Sequence, residues 1–239
     1  MRFVVFGLIL LCCYVSAIET NDYFIDNHPQ KRTKFENMLE SMKIIMRTGN
    51  DTLGIPVLDP FTADEIPIQI DEEMIKLDAL LENVNVQGLS EYDVNSGDFK
   101  IVGLKIEMNL TWPLVVASTK YALEGKTSDF EIFGKGDVNL SARGFNFVTV
   151  MYFMINGKYL KVKSMETELS LKELDFKATG LFDDEELSEL ISAVISDMVP
   201  QLIDDYQDTV TEKLNGVVMN VLNEFLSDKT LGDLLKLLG

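Results

Sequence analysis

Apolar side chains recur by threes and fours between residues 31 and 48, at Phe35, Met38, Leu39, Met42, Ile45 and Met46, which marks one buried face of an amphipathic helix. Gly49 is a natural stop for it. From Ile66 the period falls to two, through Ile66, Ile68 and Ile70, then Ile75, Leu77, Ala79 and Leu81, then Val84 and Val86, and the alternation predicts long antiparallel strands. The phase slips twice, between Leu81 and Val84 and again at Gly103, where Phe99 and Ile101 occupy odd positions and Leu104 onward even ones. A one-residue slip turns a core face to water unless a bulge absorbs it, so bent strands and a strongly curved sheet are expected.

The last fifty or so residues return to helical spacing, from Leu187, Leu190, Ile191 and Val194 through Met198, Leu202 and Tyr206 to Val210, Leu214, Val218, Leu222 and Phe225. Asp183 or Asp184 can cap the start, and the acidic run to Glu186 suits the positive end of the helix dipole. Pro200 falls mid-pattern, where a kink is expected. About forty helical residues make a rod of roughly 60 Å. Its charged face lacks sustained heptads, so a helix covered by the curved sheet is preferred to a coiled coil. The fold class is therefore α+β, a long C-terminal helix wrapped by a strongly curved antiparallel β-sheet, with a short N-terminal helix.

Between the first helix and the first strand lies "NDTLGIPVLDPF", an apolar connector in which Pro56 and Pro60 fix φ and bias Ile55 and Asp59 toward extended backbone. Ile55, Val57, Leu58 and Phe61 are expected to bury beside the core and so to position the helix. The strand "FNFVTVMYFMI", residues 145–155, is apolar on both faces, and the second face, Val148, Val150, Tyr152 and Met154, is expected to be covered by the N-terminal helix or by a partner.

"MRFVVFGLILLCCYVSA" carries a basic residue, a short apolar run and small residues at its end, the pattern of a secretory signal peptide occupying residues 1–17, with 18–239 as a single domain. Both cysteines, Cys12 and Cys13, leave with it, so an exported chain must be stabilised by apolar burial and not by disulfides. No further apolar run suggests a transmembrane segment. Twenty-one basic residues against 39 acidic ones give a formal charge of -18, which repels nucleic acid and favours solubility. Three glycosylation sequons begin at Asn50, Asn109 and Asn139. Asn109 alternates with Met108 and Leu110, and Asn139 with Val138 and Leu140, so both point outward.

Chemistry is sparse. The single histidine, His28, has neither a Gly-x-Ser-x-Gly elbow nor a metal-binding partner in sequence. "FGKGD" lacks the spacing of a phosphate loop, and Gly134 and Gly136 more plausibly mark a strand bend. "FDDEE" is a helix start without the alternating ligands of a calcium loop. No catalytic residue, metal site or cofactor is predicted, and the chain is not expected to be an enzyme.

The stretches "GIPVLDPF", "ENVNVQGLSEYDV", "WPLVVASTKYALEG", "GKGDVNL" and "LKVKSMETELSLKELDF", taken in this order over nearly the whole chain, resemble the insect takeout and haemolymph juvenile-hormone-binding protein family. The mite group 7 allergens share the wrap without the same connector. Family members usually carry an N-terminal disulfide, which this chain lacks once its signal is removed. The resemblance implies an internal apolar tunnel holding a small hydrophobic ligand, such as a juvenile hormone-like terpenoid or a fatty-chain lipid. Candidates for its lining are Met38, Met42 and Ile45 on the first helix, Phe61 on the connector, and Ile106, Met108, Trp112 and Tyr121 on the central strands. Phe133, Met151 and Phe153, then Val194, Met198 and Leu202 on the last helix, complete the set. The function so implied is a secreted, extracellular, monomeric carrier. The alternative is a ligand-free interaction protein that docks a receptor or a lipid surface through Val148, Val150, Tyr152 and Met154.

Overall fold

The computed structural model describes residues 32–51, 55–72, 75–127 and 130–237, so the expected signal segment lies outside it. Helix α1, Lys34–Thr48, opens with a capping box: the Glu36 N–H donates to the Thr33 hydroxyl, and the Glu36 carboxylate accepts from the Thr33 N–H. Thr33 and Glu36 also reach the strand Asp93–Lys100, through the Gly97 carbonyl and N–H, and this orients the helix on the sheet. Gly49 ends it.

Seven antiparallel strands follow: β1 (Phe61–Glu72), β2 (Ile75–Gln87), β3 (Asp93–Lys100), β4 (Lys105–Thr127), β5 (Glu131–Asn156), β6 (Tyr159–Ser170) and β7 (Glu173–Ala178). The sheet is open and curved. β4 and β5 are long enough to have different neighbours along their length. Near the start of β4 and the end of β5 the order is β3-β4-β5-β6, and toward the other end it is β1-β2-β4-β5-β7.

The slip between Leu81 and Val84 is a β-bulge at Glu82/Asn85, with Asn83 at φ 52°. The slip at Gly103 is not a bulge. Residues 101–104 form the turn joining β3 to β4, so the odd and even runs belong to two strands. A third phase change was not anticipated. Trp112 and Val115 both pack on the inner face, as do Phe145 and Val138 on the paired strand, so β4 and β5 flip together at Pro113 and Gly144. Gly144 makes the flip feasible by adopting φ 64°, which a side chain would strain.

The larger core joins Phe35, Leu39, Met42, Ile45 and Met46 of α1 to the inner faces of β4, β5 and β6. The connector completes it with Ile55 and Leu58, whereas Val57 is 44% exposed and Phe61 half-buried, so only two of the four expected side chains are buried. The Leu58 and Asp59 N–H groups both donate to the Met46 carbonyl at the end of α1. Because α1 is tied to β3 on the inner side, it does not cover Val148, Val150 and Tyr152. These remain half-buried on the outer face between Lys105 and Glu107 of β4 and Glu166 and Glu168 of β6, whose aliphatic stems flank them.

The C-terminal helical pattern becomes α2 (Glu185–Asp205) and α3 (Gln207–Phe225), then a short turn and α4 (Leu231–Leu237). Asp184 caps α2 through the Leu187 N–H. The helix continues through Pro200, as the pattern predicts, and is interrupted at Tyr206, which the pattern does not mark. The reason lies in the sheet contact. Ser188, Ser192 and Ser196 accept the Leu181, Ala178 and Phe176 N–H groups at 2.9, 3.0 and 2.9 Å. Each hydroxyl donates to its own helix, to the Asp184, Ser188 and Ser192 carbonyls at 2.6, 2.7 and 2.8 Å. Beyond Tyr206 the contact passes to β6: the Gln207 amide donates to the Leu169 carbonyl and accepts its N–H, and Asn223 accepts from the Val162 N–H. The break therefore falls where the helix moves from one strand edge to the next.

Candidate ligand-binding surface

The inner face carries two packed clusters with an interval between them. One is the large core, which extends through Ile203 and Leu214 to Val218 and Leu222. The other gathers Tyr121, Ala178 and Leu181 with Leu81, Leu123, Val138, Phe176, Phe182 and Ile191. Tyr121 donates its phenol to the Thr179 carbonyl at 2.7 Å, and burial pushes its pKa above the ordinary value.

Ile191, Ile195, Met198 and Leu202 fall within about 60° of one another around α2. Ile191 packs into the second cluster and Ile203 into the first. Between them Val194, Met198 and Leu202 are uncovered, Met198 to 49%. The sheet presents a matching row at this level. Phe61 pairs with Val86, Val86 with Ala117, Ala117 with Leu140, and Leu140 with Phe176, whose N–H is held by Ser196 of α2. All five are apolar and none is fully buried; Phe176, at the α2 end, also packs against the second cluster, and Phe61, Val86, Ala117 and Leu140 belong to neither. An apolar surface that two cores flank and neither fills is a ready site for a hydrophobic molecule.

The structure thus sorts the predicted lining residues into four places. Phe61, Val194, Met198 and Leu202 lie on this uncovered surface. Met42, Ile45, Ile106, Met108, Trp112, Met151 and Phe153 are buried in the large core, with Met38 packed against it, and Tyr121 is buried in the second cluster. The indole of Trp112 donates to the Leu89 carbonyl at 2.9 Å and lies between Tyr92 and Phe145. Phe133 touches Phe182 and borders an open depression of about 480 Å³ across β1, β2, β4 and β5. Asp78, Glu124, Lys135 and Asp183 surround that depression with charge, which suits an apolar guest less well. Val86, Ala117, Leu140 and Phe176 were missed, since only the register across five strands brings them into one row.

Gly134 and Gly136 sit where another segment of the chain approaches β5 closely. Residues 179–181 run along β5 past β7, and a Cβ on Gly136 would fall inside van der Waals contact with the Thr179 carbonyl oxygen and 2.6 Å from its hydroxyl. Gly136→Ala is expected to cost about 2–3 kcal/mol, read as a lower urea midpoint. Gly216→Ala in α3 has open space and is expected to stabilise by up to about 1 kcal/mol. Asn139 is exposed on β5. Asn109 is half-buried, its carboxamide oxygen accepting from Asn95 and Asn146, and the backbone of Asn50 bridges to Ile55. Among the described residues no cluster of three or more acidic, His or Cys side chains could hold a metal, and no helix is long and apolar enough to cross a membrane.

The profile of the haemolymph juvenile hormone binding protein (JHBP) family matches residues 6–236. The chain belongs to this family. Takeout 1 of Epiphyas postvittana shares the JHBP-type fold with a TM-score of 0.57 at 16% identity, over 85% of this chain and 98% of that one. A lipopolysaccharide binding protein aligns over 74% of this chain and 35% of its own at 10% identity, with a TM-score of 0.31, too low to argue from. No curated protein sequence matches significantly. JHBP membership supports a carrier of hydrophobic ligands and places the chain among binding proteins rather than enzymes.

Proposed function

We propose that this JHBP-family chain is a secreted carrier that shelters a small hydrophobic molecule, a juvenile hormone-like terpenoid or a fatty-chain lipid, between α2 and the curved sheet. The observation that supports it most is the uncovered stripe of Val194, Met198 and Leu202, set beside the row from Phe61 to Phe176. Transfer of a lipid chain from water onto such a surface is favourable by about 25 cal/mol per Å² buried, and a flexible methionine adapts to chains of different shape. The reading includes cleavage after Ala17, a single domain from residue 18, and glycans on Asn109 and Asn139.

Equilibrium dialysis of the delipidated protein against a labelled juvenoid and a labelled medium-chain fatty acid tests this, with mass spectrometry of the organic extract from natively purified protein. Saturable binding, or one co-purifying lipid in near-stoichiometric amount, is expected. Absence of both would overturn the carrier reading. Trp112, packed in the large core with its N–H engaged, serves as a fold reporter during the titration, and its emission is expected to be blue-shifted with or without ligand.

A further inference from the structure

The β3–β4 and β5–β6 turns lie side by side, because Lys105 pairs with Tyr152 and the Phe153 N–H donates to the Leu104 carbonyl. Hairpin tips are ordinarily polar, built of Gly, Asn, Asp and Ser. This one is apolar: Val102 is 91% exposed and Ile155 51%, with Ile101 and Met154 exposed beside them. None of the four contributes to either packed cluster, so folding does not account for them.

The charge around the tip reverses that of the whole chain. Against a net charge of -18, there is no Asp or Glu from residue 99 to 106 or from 145 to 165, and these stretches carry Lys100, Lys105, Lys158, Lys161 and Lys163. Lys161 pairs across the ladder with Met154, and Lys158 sits 4.9 Å over the Tyr159 ring. Glu107 binds both Lys100 and Lys105, and its carboxyl is held below the ordinary range by their hydrogen bonds, so it offsets one charge and leaves the tip positive.

An exposed apolar wedge collared by lysines is the pattern of a segment that inserts into the interface of an anionic bilayer. The geometry points to docking of this double-hairpin tip on a lipid surface bearing anionic headgroups, with Val102 and Ile155 entering the acyl boundary and the lysines at headgroup level. Along β4 the tip is about 40 Å from the row at Ala117. This inference is therefore separable from the carrier reading and does not rest on it.

The test is flotation of the purified protein with phosphatidylcholine vesicles, with and without phosphatidylserine. Association is expected only with the anionic vesicles and weakens as salt rises. Val102→Asp is expected to abolish it. Lys158→Glu with Lys161→Glu should weaken it roughly thirtyfold or more, taking about 1 kcal/mol per basic side chain at the surface. Trp112 emission and the urea midpoint should be unchanged in both variants, since every altered side chain is exposed. No association of the wild type at low salt, or association untouched by both variants, would overturn the proposal. So would a dimer that Val102→Asp converts to monomer without any vesicle binding, because the tip would then join two copies of the chain.

Discussion

If α2 walls the proposed ligand site, Met198→Glu is expected to lower the affinity for a juvenoid or fatty acid by roughly a hundredfold or more while leaving the urea midpoint nearly unchanged. Met198 is half-exposed and in neither packed cluster, so a charged side chain of similar length there disturbs neither cluster. With a guest against α2 the carboxylate must either lose its water or take up a proton, and an unpaired buried charge costs several kcal/mol. Ala193→Glu is the control, being exposed and about 200° around the helix from Ile191. It should leave affinity intact. Equal affinity in wild type and Met198→Glu would remove α2 from the site.

Asp59→Ala is expected to lower stability by about 3–5 kcal/mol. The Asp59 carboxylate accepts from the Gly88 N–H at 3.0 Å, the Ser90 N–H at 2.8 Å and the Ser90 hydroxyl at 2.6 Å, and Ser90 is completely buried. Removing it strands buried donors, which costs more than the net value of the bonds. The Ser90 oxygen also accepts from Arg47 in the last turn of α1, and Arg47 pairs with Glu91. One side chain of the connector thus ties helix, connector and the β2–β3 loop together, in a chain with no cysteine beyond residue 13. Urea unfolding reads the loss as a lower midpoint at constant slope. Asp59→Asn, which keeps one acceptor oxygen, should fall between the two. A loss below about 1 kcal/mol would mean that the connector is held mainly by Ile55 and Leu58.

Much of this architecture is legible because alternation and helical spacing are strong signals. α1, its stop at Gly49, the inward run from Ile106 to Trp112 and the bulge after Leu81 all follow from them. The misreadings share a cause. Ser188, Ser192 and Ser196 form a polar stripe at helical spacing, which a hydropathy reading assigns to water, yet they bond a strand edge. Without that contact the sequence offers no signal for the break at Tyr206, although it does carry the helix through Pro200. For the ligand surface, inward phase is common to packed core and cavity wall alike. It therefore found Met198 and Leu202 together with Met42 and Met151, without telling uncovered from buried. Val86, Ala117, Leu140 and Phe176 needed the paired flip at Pro113 and Gly144, which no single strand's periodicity reveals.

The serine stripe also decides which wall of the binding surface can yield. Pulling α2 from β7 would strip the Phe176, Ala178 and Leu181 N–H groups of their acceptors and leave a bare strand edge, an invitation to self-association. The helix therefore behaves as the rigid jamb. On the far side β1 has β2 as its ladder partner and ends the sheet. If the proposed surface between α2 and the sheet holds a ligand, the β1–β2 hairpin is therefore the wall expected to give way to guests of different girth, and α2 the wall expected to retain them.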